Sequence, residues 1–320
     1  MSLWGRVQMK KLLLFCILLS ISVGFSVTLG RGELEGFFDY RYIWSEKVSA
    51  GTGTFQVSNL NLIYNFPLNK QYKVFLQTNI SSGGNSEITN LYLDTETSLP
   101  LQMRLGRFSV ETMERDKDQD ESNFISNPIF WNLDWKVANN PLLPDNETGI
   151  MVYNTGRNHD LNFYLLNGAN EWEETVTESK KAVGMYFRTL VKNTIEIRGS
   201  IYSNMFDYGK YNHTVLTGEA IIEMADIKLK GGALVLVGEN NGVKDNGAGV
   251  LFSAILPLAH GSDLAAFASI FKNGQYYYRG AIALKTTLNQ DMIWKNEFCM
   301  EKDGTQVKDM KIQSQIVVLL

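Results

Sequence analysis

Leu101-Gln-Met-Arg-Leu-Gly-Arg-Phe-Ser109 and Gly149-Ile-Met-Val-Tyr153 read as two β-strands, and what separates them governs the reading of the whole chain. In the first, Leu101, Met103 and Leu105 share one face while Gln102 and Arg104 share the other, the period of two of a strand with one apolar side. The loop between them, 110–146, is far longer than the roughly 4–6 residues usual for a connection in a compact domain. It begins acidic, with Glu111, Glu114, Asp116, Asp118, Asp120 and Glu121, and then turns aromatic, with Phe124, Phe130, Trp131 and Trp135. That much apolar surface in one loop requires something to pack against.

Outward from this stretch, segments with period-two alternation recur at short intervals, separated by Gly, Asn, Pro and Ser. Before it they lie at 34–44, 55–66, 72–80 and 88–97; after it come 160–167, 182–190, 194–203, 214–224, 227–237, 248–256, 263–271, 277–286, 291–300 and 309–320. With 101–109 and 149–153 that makes sixteen, an even number. Short connections (67–71, 98–100, 155–159, 191–193, 225–226, 287–290) alternate with longer or looser ones (45–54, 81–87, 110–146, 168–181, 204–213, 238–247, 301–308), while 257–262 and 272–275 blur the pattern. Tight turns at one end and longer loops at the other, with aromatic residues such as Tyr40, Tyr42, Trp44, Tyr64, Phe66 and Tyr72 near strand ends, are the marks of a transmembrane antiparallel β-barrel. A propeller would repeat a motif every forty or so residues, and the chain has no such repeat. A β-sandwich would hold its aromatics inside. Closing the sheet also removes the edges that lipid cannot satisfy.

Composition agrees with this reading. The chain has 320 residues, is 44% hydrophobic and has a mean hydropathy of −0.13, too mild for a helical membrane protein. A net charge of −4 argues against nucleic acid as a partner. Arg6, Lys10 and Lys11 precede the apolar run Leu12-Leu-Leu-Phe-Cys-Ile-Leu-Leu-Ser-Ile-Ser-Val23, and Gly24-Phe-Ser26 offers small residues at a cleavage site, so 1–26 reads as an export signal, with Met9 an alternative start. Its removal takes Cys16 and leaves Cys299 alone, which excludes a disulfide scaffold. Residues 27–320 read as a single barrel domain.

Leu105-Gly-Arg-Phe-Ser109 before the long loop, and Leu142-Leu-Pro-Asp-Asn-Glu-Thr-Gly-Ile150 after it, resemble paired landmarks of Gram-negative sixteen-stranded outer-membrane porins, with the phosphate-selective porins and their relatives as the nearest group. Two departures stand out: Val110-Glu-Thr112 replaces the Pro-Phe-Gly that often follows in such porins, and the chain ends at Leu320 rather than Phe or Trp. The resemblance implies that 110–146 is a third loop folded into the bore to constrict it. It also implies a homotrimer set among outer-membrane lipid and lipopolysaccharide, passing small solutes or ions and needing no cofactor.

The residues that bear on function are charges. Arg104 has the polar parity of its strand and so points to the lumen of a barrel, as do Arg41, Lys73, Arg188 and Arg198; Arg107 has the apolar parity but sits at the strand's end. Glu111, Glu114, Asp116 and Asp118 on the loop, set across from Arg104, would place a transverse field over a narrow pore. Asp116, Asp118 and Asp120 alternate as hard-cation ligands do, but the rest of an EF-hand pattern fails, and a solvated acidic loop explains them. Inward candidates of the opposite sign, Glu35, Asp39, Glu196, Glu219 and Glu223, leave the charge preference open. An enzyme would need convergent groups. His159, His213 and His260 are assigned to different connections, and His260-Gly-Ser262, the one suggestion of a membrane hydrolase, reads better as a turn. The expected function is therefore a passive porin, not an enzyme; the alternative is a non-conducting barrel with a structural or surface role.

Overall fold

The computed structural model describes residues 27–29, 32–45, 54–81, 86–95, 101–113, 124, 134–135, 140–141, 143, 146–167, 181–192, 194–206, 211–290, 292–303 and 306–319. These residues are strands and the turns between them. One antiparallel sheet holds eighteen strands, two of which, Val27–Leu29 and Val243–Lys244, are short appendages; sixteen long strands remain. In chain order they are β1 (Gly32–Ser45), β2 (Thr54–Pro67), β3 (Tyr72–Ser81), β4 (Ser86–Thr95), β5 (Gln102–Ser109), β6 (Asn146–Thr155), β7 (His159–Leu166) and β8 (Lys181–Val191). Then follow β9 (Ile195–Phe206), β10 (Tyr211–Met224), β11 (Ile227–Asn240), β12 (Gly247–Pro257), β13 (Ser262–Asn273), β14 (Gln275–Asn289), β15 (Met292–Asp303) and β16 (Gln306–Leu319). Each pairs with its sequence neighbours, and β16 pairs with β1 from Phe37↔Leu319 to Ser45↔Lys311, so the circuit of pairings returns to where it began. All sixteen expected segments are present.

The hairpins are built as their residues dictate. Ala225 and Asp226 lie at φ of 46° and 69°, Asn241 and Gly242 at 49° and 82°, and His260 and Gly261 at 61° and 70°. Two successive left-handed residues match the twist of the strands they join. Two connections are shorter than the sequence reading of 272–275 and 301–308 expected. β13 runs to Asn273 and β14 starts at Gln275, leaving Gly274 at φ 68° as the whole connection; β15 and β16 likewise extend to Asp303 and from Gln306. The strands are longer than their apolar cores because polar residues continue the ladder beyond them.

One face of the ring is apolar and exposed, the other covered. Along β7 and β8 the exposed residues are Phe163, Leu165, Val183, Met185 and Phe187, and the buried ones Asn162, Tyr164, Leu166, Ala182 and Tyr186. Leu165 is 55% exposed between Tyr164 at 5% and Leu166 at 2%. In water this would be inverted; in a bilayer it is the required order, apolar outward and polar or packed inward.

The inner face is uneven around the ring. On β10 to β15, Val215, Leu234, Leu236, Leu251, Ala265, Phe267, Phe271, Ala281, Ala283 and Cys299 form a buried cluster, joined by Met113, Phe124 and Leu143 of the long connection. A second cluster on β5 to β9 contains Phe108, Met151, Tyr153, Tyr164, Leu166, Tyr186 and Tyr202 with Val110. On β2 to β4 the inner-parity residues Asn61, Ile63, Phe75, Gln77, Asn79 and Tyr92 stay half-buried.

Candidate functional site

Gly106 takes β5 through φ 127°, a conformation that L side chains avoid, and an added Cβ would collide with the carbonyl oxygen of Leu91. This explains the glycine in the Leu105-Gly-Arg-Phe stretch. Beyond it, Phe108 is fully buried and its ring packs 6.4 Å from that of Tyr164 on β7.

From there the chain leaves β5 and meets other strands in turn. The Glu111 amide donates to Tyr164 Oη at 3.3 Å, and Asn162 Nδ2 donates to Glu111 Oε2 at 3.4 Å. The Thr112 carbonyl accepts from Thr217 Oγ1 on β10 at 3.0 Å. Met113 lies over Gly232 on β11, where an added Cβ would come within 2.5 Å of Met113 Cε. The Phe124 ring stands edge-on to Phe267 on β13, with centroids 4.8 Å apart. Each apolar contact removes surface from water at about 25 cal/mol per Å², and the aromatic pair adds roughly 0.5–1.5 kcal/mol.

The charged residues of the inner wall are paired across strands. Arg104 Nη2 is 2.8 Å from Asp94 Oδ2, its register partner on β4. The guanidinium lies 4.0 Å over the Tyr92 ring and 5.5 Å from that of Tyr153, and Tyr153 Oη donates to Asp94 Oδ1 at 2.7 Å. A longer ladder crosses β7 to β11. Arg188 bonds Asp160 and lies 3.3 Å from Glu196, Arg198 bonds Glu196 and lies 3.9 Å from Glu219, and Lys230 is 3.8 Å from Glu219. A third set joins Arg279, Glu301 and Lys311 on β14 to β16, with Lys311 Nζ 2.8 Å from Glu301 Oε1 and 3.5 Å from Asp309. Such ladders satisfy charges on a wall where the paired side chains are only partly exposed.

Of the residues singled out from sequence, Arg104, Arg188 and Arg198 are thus on the inner wall, with acidic neighbours that parity alone did not pair with them. Arg41 is half-buried on β1, in register with Gln315 and Gln56. Arg107 is in register with exposed Leu91, as its apolar parity requires, yet is only 5% exposed. Glu111 reaches β7. Glu114, Asp116, Asp118 and Asp120 lie outside the described residues, as do Phe130 and Trp131, the export signal 1–26 and the Leu320 end; among the described residues no group of three or more metal-ligating side chains converges. His213, assigned to a connection from sequence, is fully buried within β10, because that strand begins at Tyr211. His260 belongs to the β12–β13 turn, and Ser262 Oγ bonds Thr286 Oγ1 at 3.1 Å.

No family model matches the chain, and no curated protein matches it by sequence. Solved structures do match by shape. An anion-selective porin from Comamonas acidovorans superposes with a TM-score of 0.70 at 12% identity, covering 90% of this chain and 99% of its own. The outer-membrane channel DcaP of Acinetobacter baumannii gives 0.67 at 12% identity, covering 93% and 100%. The trimer form of OmpT, an outer membrane protein of Vibrio cholerae, gives 0.66 at 8%, covering 90% and 99%. At these identities the likeness speaks for the fold, over nearly the full length of each chain. With its apolar exterior and circuit of sixteen antiparallel strands, the protein has the fold of a bacterial outer-membrane porin-type β-barrel.

Proposed function

We propose that the protein is a porin, a passive channel for small hydrophilic solutes or ions narrowed by loop 110–146. The observation that carries this reading is the path of the loop's described pieces: Glu111, Thr112, Met113 and Phe124 meet β7, β10, β11 and β13 in turn, on the covered side of the ring. A segment on that path subtracts from the cross-section of the bore. The acidic residues Glu114, Asp116 and Asp118 follow directly in sequence and would lie within it. No catalytic step is required, and none is proposed. Assembly as a homotrimer in outer-membrane lipid and lipopolysaccharide belongs to the same proposal, supported by a trimeric form among the structures of similar fold.

The test is single-channel recording in planar bilayers. Purified, folded protein should produce stepwise currents in KCl, and replacing 116–134 by a brief Gly-Ser linker should enlarge each step. A second reading, a non-conducting barrel with a structural role, draws on the dry cluster at Leu234, Leu236, Leu251 and Phe267 inside the ring. Folded protein that gives no current would select it.

A further inference from the structure

On the half-buried side of the ring, uncharged side chains join across strands. Gln77 Nε2 on β3 donates to Asn61 Oδ1 on β2 at 3.2 Å, and Asn90 Nδ2 on β4 donates to Gln77 Oε1 at 2.6 Å. The same Asn90 nitrogen lies 3.5 Å from Ser109 Oγ at the end of β5, and that hydroxyl donates to Asn146 Oδ1 on β6 at 2.8 Å. Five successive strands are thus linked with no charge in the chain of contacts. Phe75, two residues from Gln77 and on the same face, stacks on Tyr92 at 4.8 Å and 10°.

Two further features give this chain a direction. Asn79 Oδ1 and Asn90 Oδ1 are buried acceptors that have no hydrogen-bond donor among the described residues. An unmade bond at such an acceptor costs about 1–3 kcal/mol, so a donor brought by water or solute is favoured there. The guanidinium of Arg104 is held by Asp94 between Tyr92 and Tyr153, which balances its charge, and exposed Glu87 stands in register with Asn79 at one end of the chain. The opposite arc, β10 to β15, carries the apolar cluster, whereas Asn61, Gln77 and Asn79 on β2 and β3 remain half-buried.

We propose that Asn61, Gln77, Asn79 and Asn90 form a binding track in the bore for neutral polyhydroxylated solutes of the sugar class. The proposal rests on the channel reading above and specifies its solute. An amide offers donors and acceptors together without net charge, as a sugar hydroxyl does, and exchanges hydrogen bonds with it at little cost. An ion gains less from such a surface, because no net charge compensates its lost hydration.

The experiment records currents in KCl and then adds maltotriose to one side. Maltotriose should reduce the current in a saturable way, and Gln77→Ala and Asn90→Ala should each weaken its apparent affinity by about tenfold, the scale of one lost hydrogen bond. Gln77→Glu retains the shape of the side chain and serves if the alanine variants do not fold; a charge on the track should weaken maltotriose binding and move the reversal potential toward cations. Folded protein that carries no current overturns the channel reading, and the track with it. A conducting protein overturns the track alone if maltotriose binds the variants as it binds the original, or if glucuronate, an anion of related shape, blocks as strongly as the neutral sugar.

Discussion

Arg104 owes its position to three side chains on neighbouring strands. Asp94 receives its charge, and the rings of Tyr92 and Tyr153 lie against its planar guanidinium. Replacing it by alanine leaves Asp94 with only the Tyr153 hydroxyl among its described partners. The cost should fall at about 1–3 kcal/mol, between that of an exposed pair and that of breaking a buried one, with the reversal potential moving toward cations. Arg104→Lys separates the two effects: the charge stays, so selectivity should hold, while stability falls because an ammonium lacks the planar face and the fork of donors. Denaturant unfolding and reversal potentials in a salt gradient measure the pair. The inward parity of Arg104 and of Asp94 was legible from alternation in their own strands. Their pairing was not, since it depends on the register that the 96–101 connection sets. The amide track was missed for a related reason: Asn61, Gln77 and Asn90 are each ordinary, and only their shared parity on three consecutive strands marks them.

Every long strand presents one face to lipid, so a charge there should be costly and one on the inner face tolerated. Phe163→Arg and Met185→Arg, register partners near mid-strand on β7 and β8, should cost roughly 2–4 kcal/mol, whereas Asn162→Lys should change stability by less. Unfolding in lipid vesicles checks this, and equal tolerance of both sets would remove the bilayer assignment of the two faces. Alternation also explains how much of the architecture was readable. Most of the sixteen strands carry it, and their number and order follow from it together with the turn residues between them. Their ends did not follow, because the extensions at Tyr211, Asn273 and Gln275 are polar residues that ladder hydrogen bonds hold in line. Nor did the dry part of the interior. Its signal was nevertheless present where alternation fails: Ala233-Leu-Val-Leu-Val237 on β11 and Leu264-Ala-Ala-Phe-Ala268 on β13 are apolar on both parities, as strands covered on both faces are.

At the scale of the molecule, each strand bonds only to its two neighbours, and the last returns to the first. A closed band of this kind resists stretching along its circumference, since that breaks hydrogen bonds, but yields readily to being squeezed into an oval. β5 and β13 stand eight places apart in a circuit of sixteen, half-way around. The chain that leaves β5 after Ser109 rests on β10 and β11 through Thr112 and Met113 and reaches β13 through Phe124. On the loop path proposed above it would act as a strut across a hoop, tying opposite walls at a fixed separation against lateral pressure from the bilayer. Cutting that tie with Phe124→Ala, a change that costs roughly 3–5 kcal/mol in a packed site, should leave a softer hoop. The measurable sign is a noisier open current at the same mean voltage; a variant as quiet as the parent would mean that the strut bears no load. On that reading the aromatic contact at the far wall would set the rigidity of the opening as well as its width.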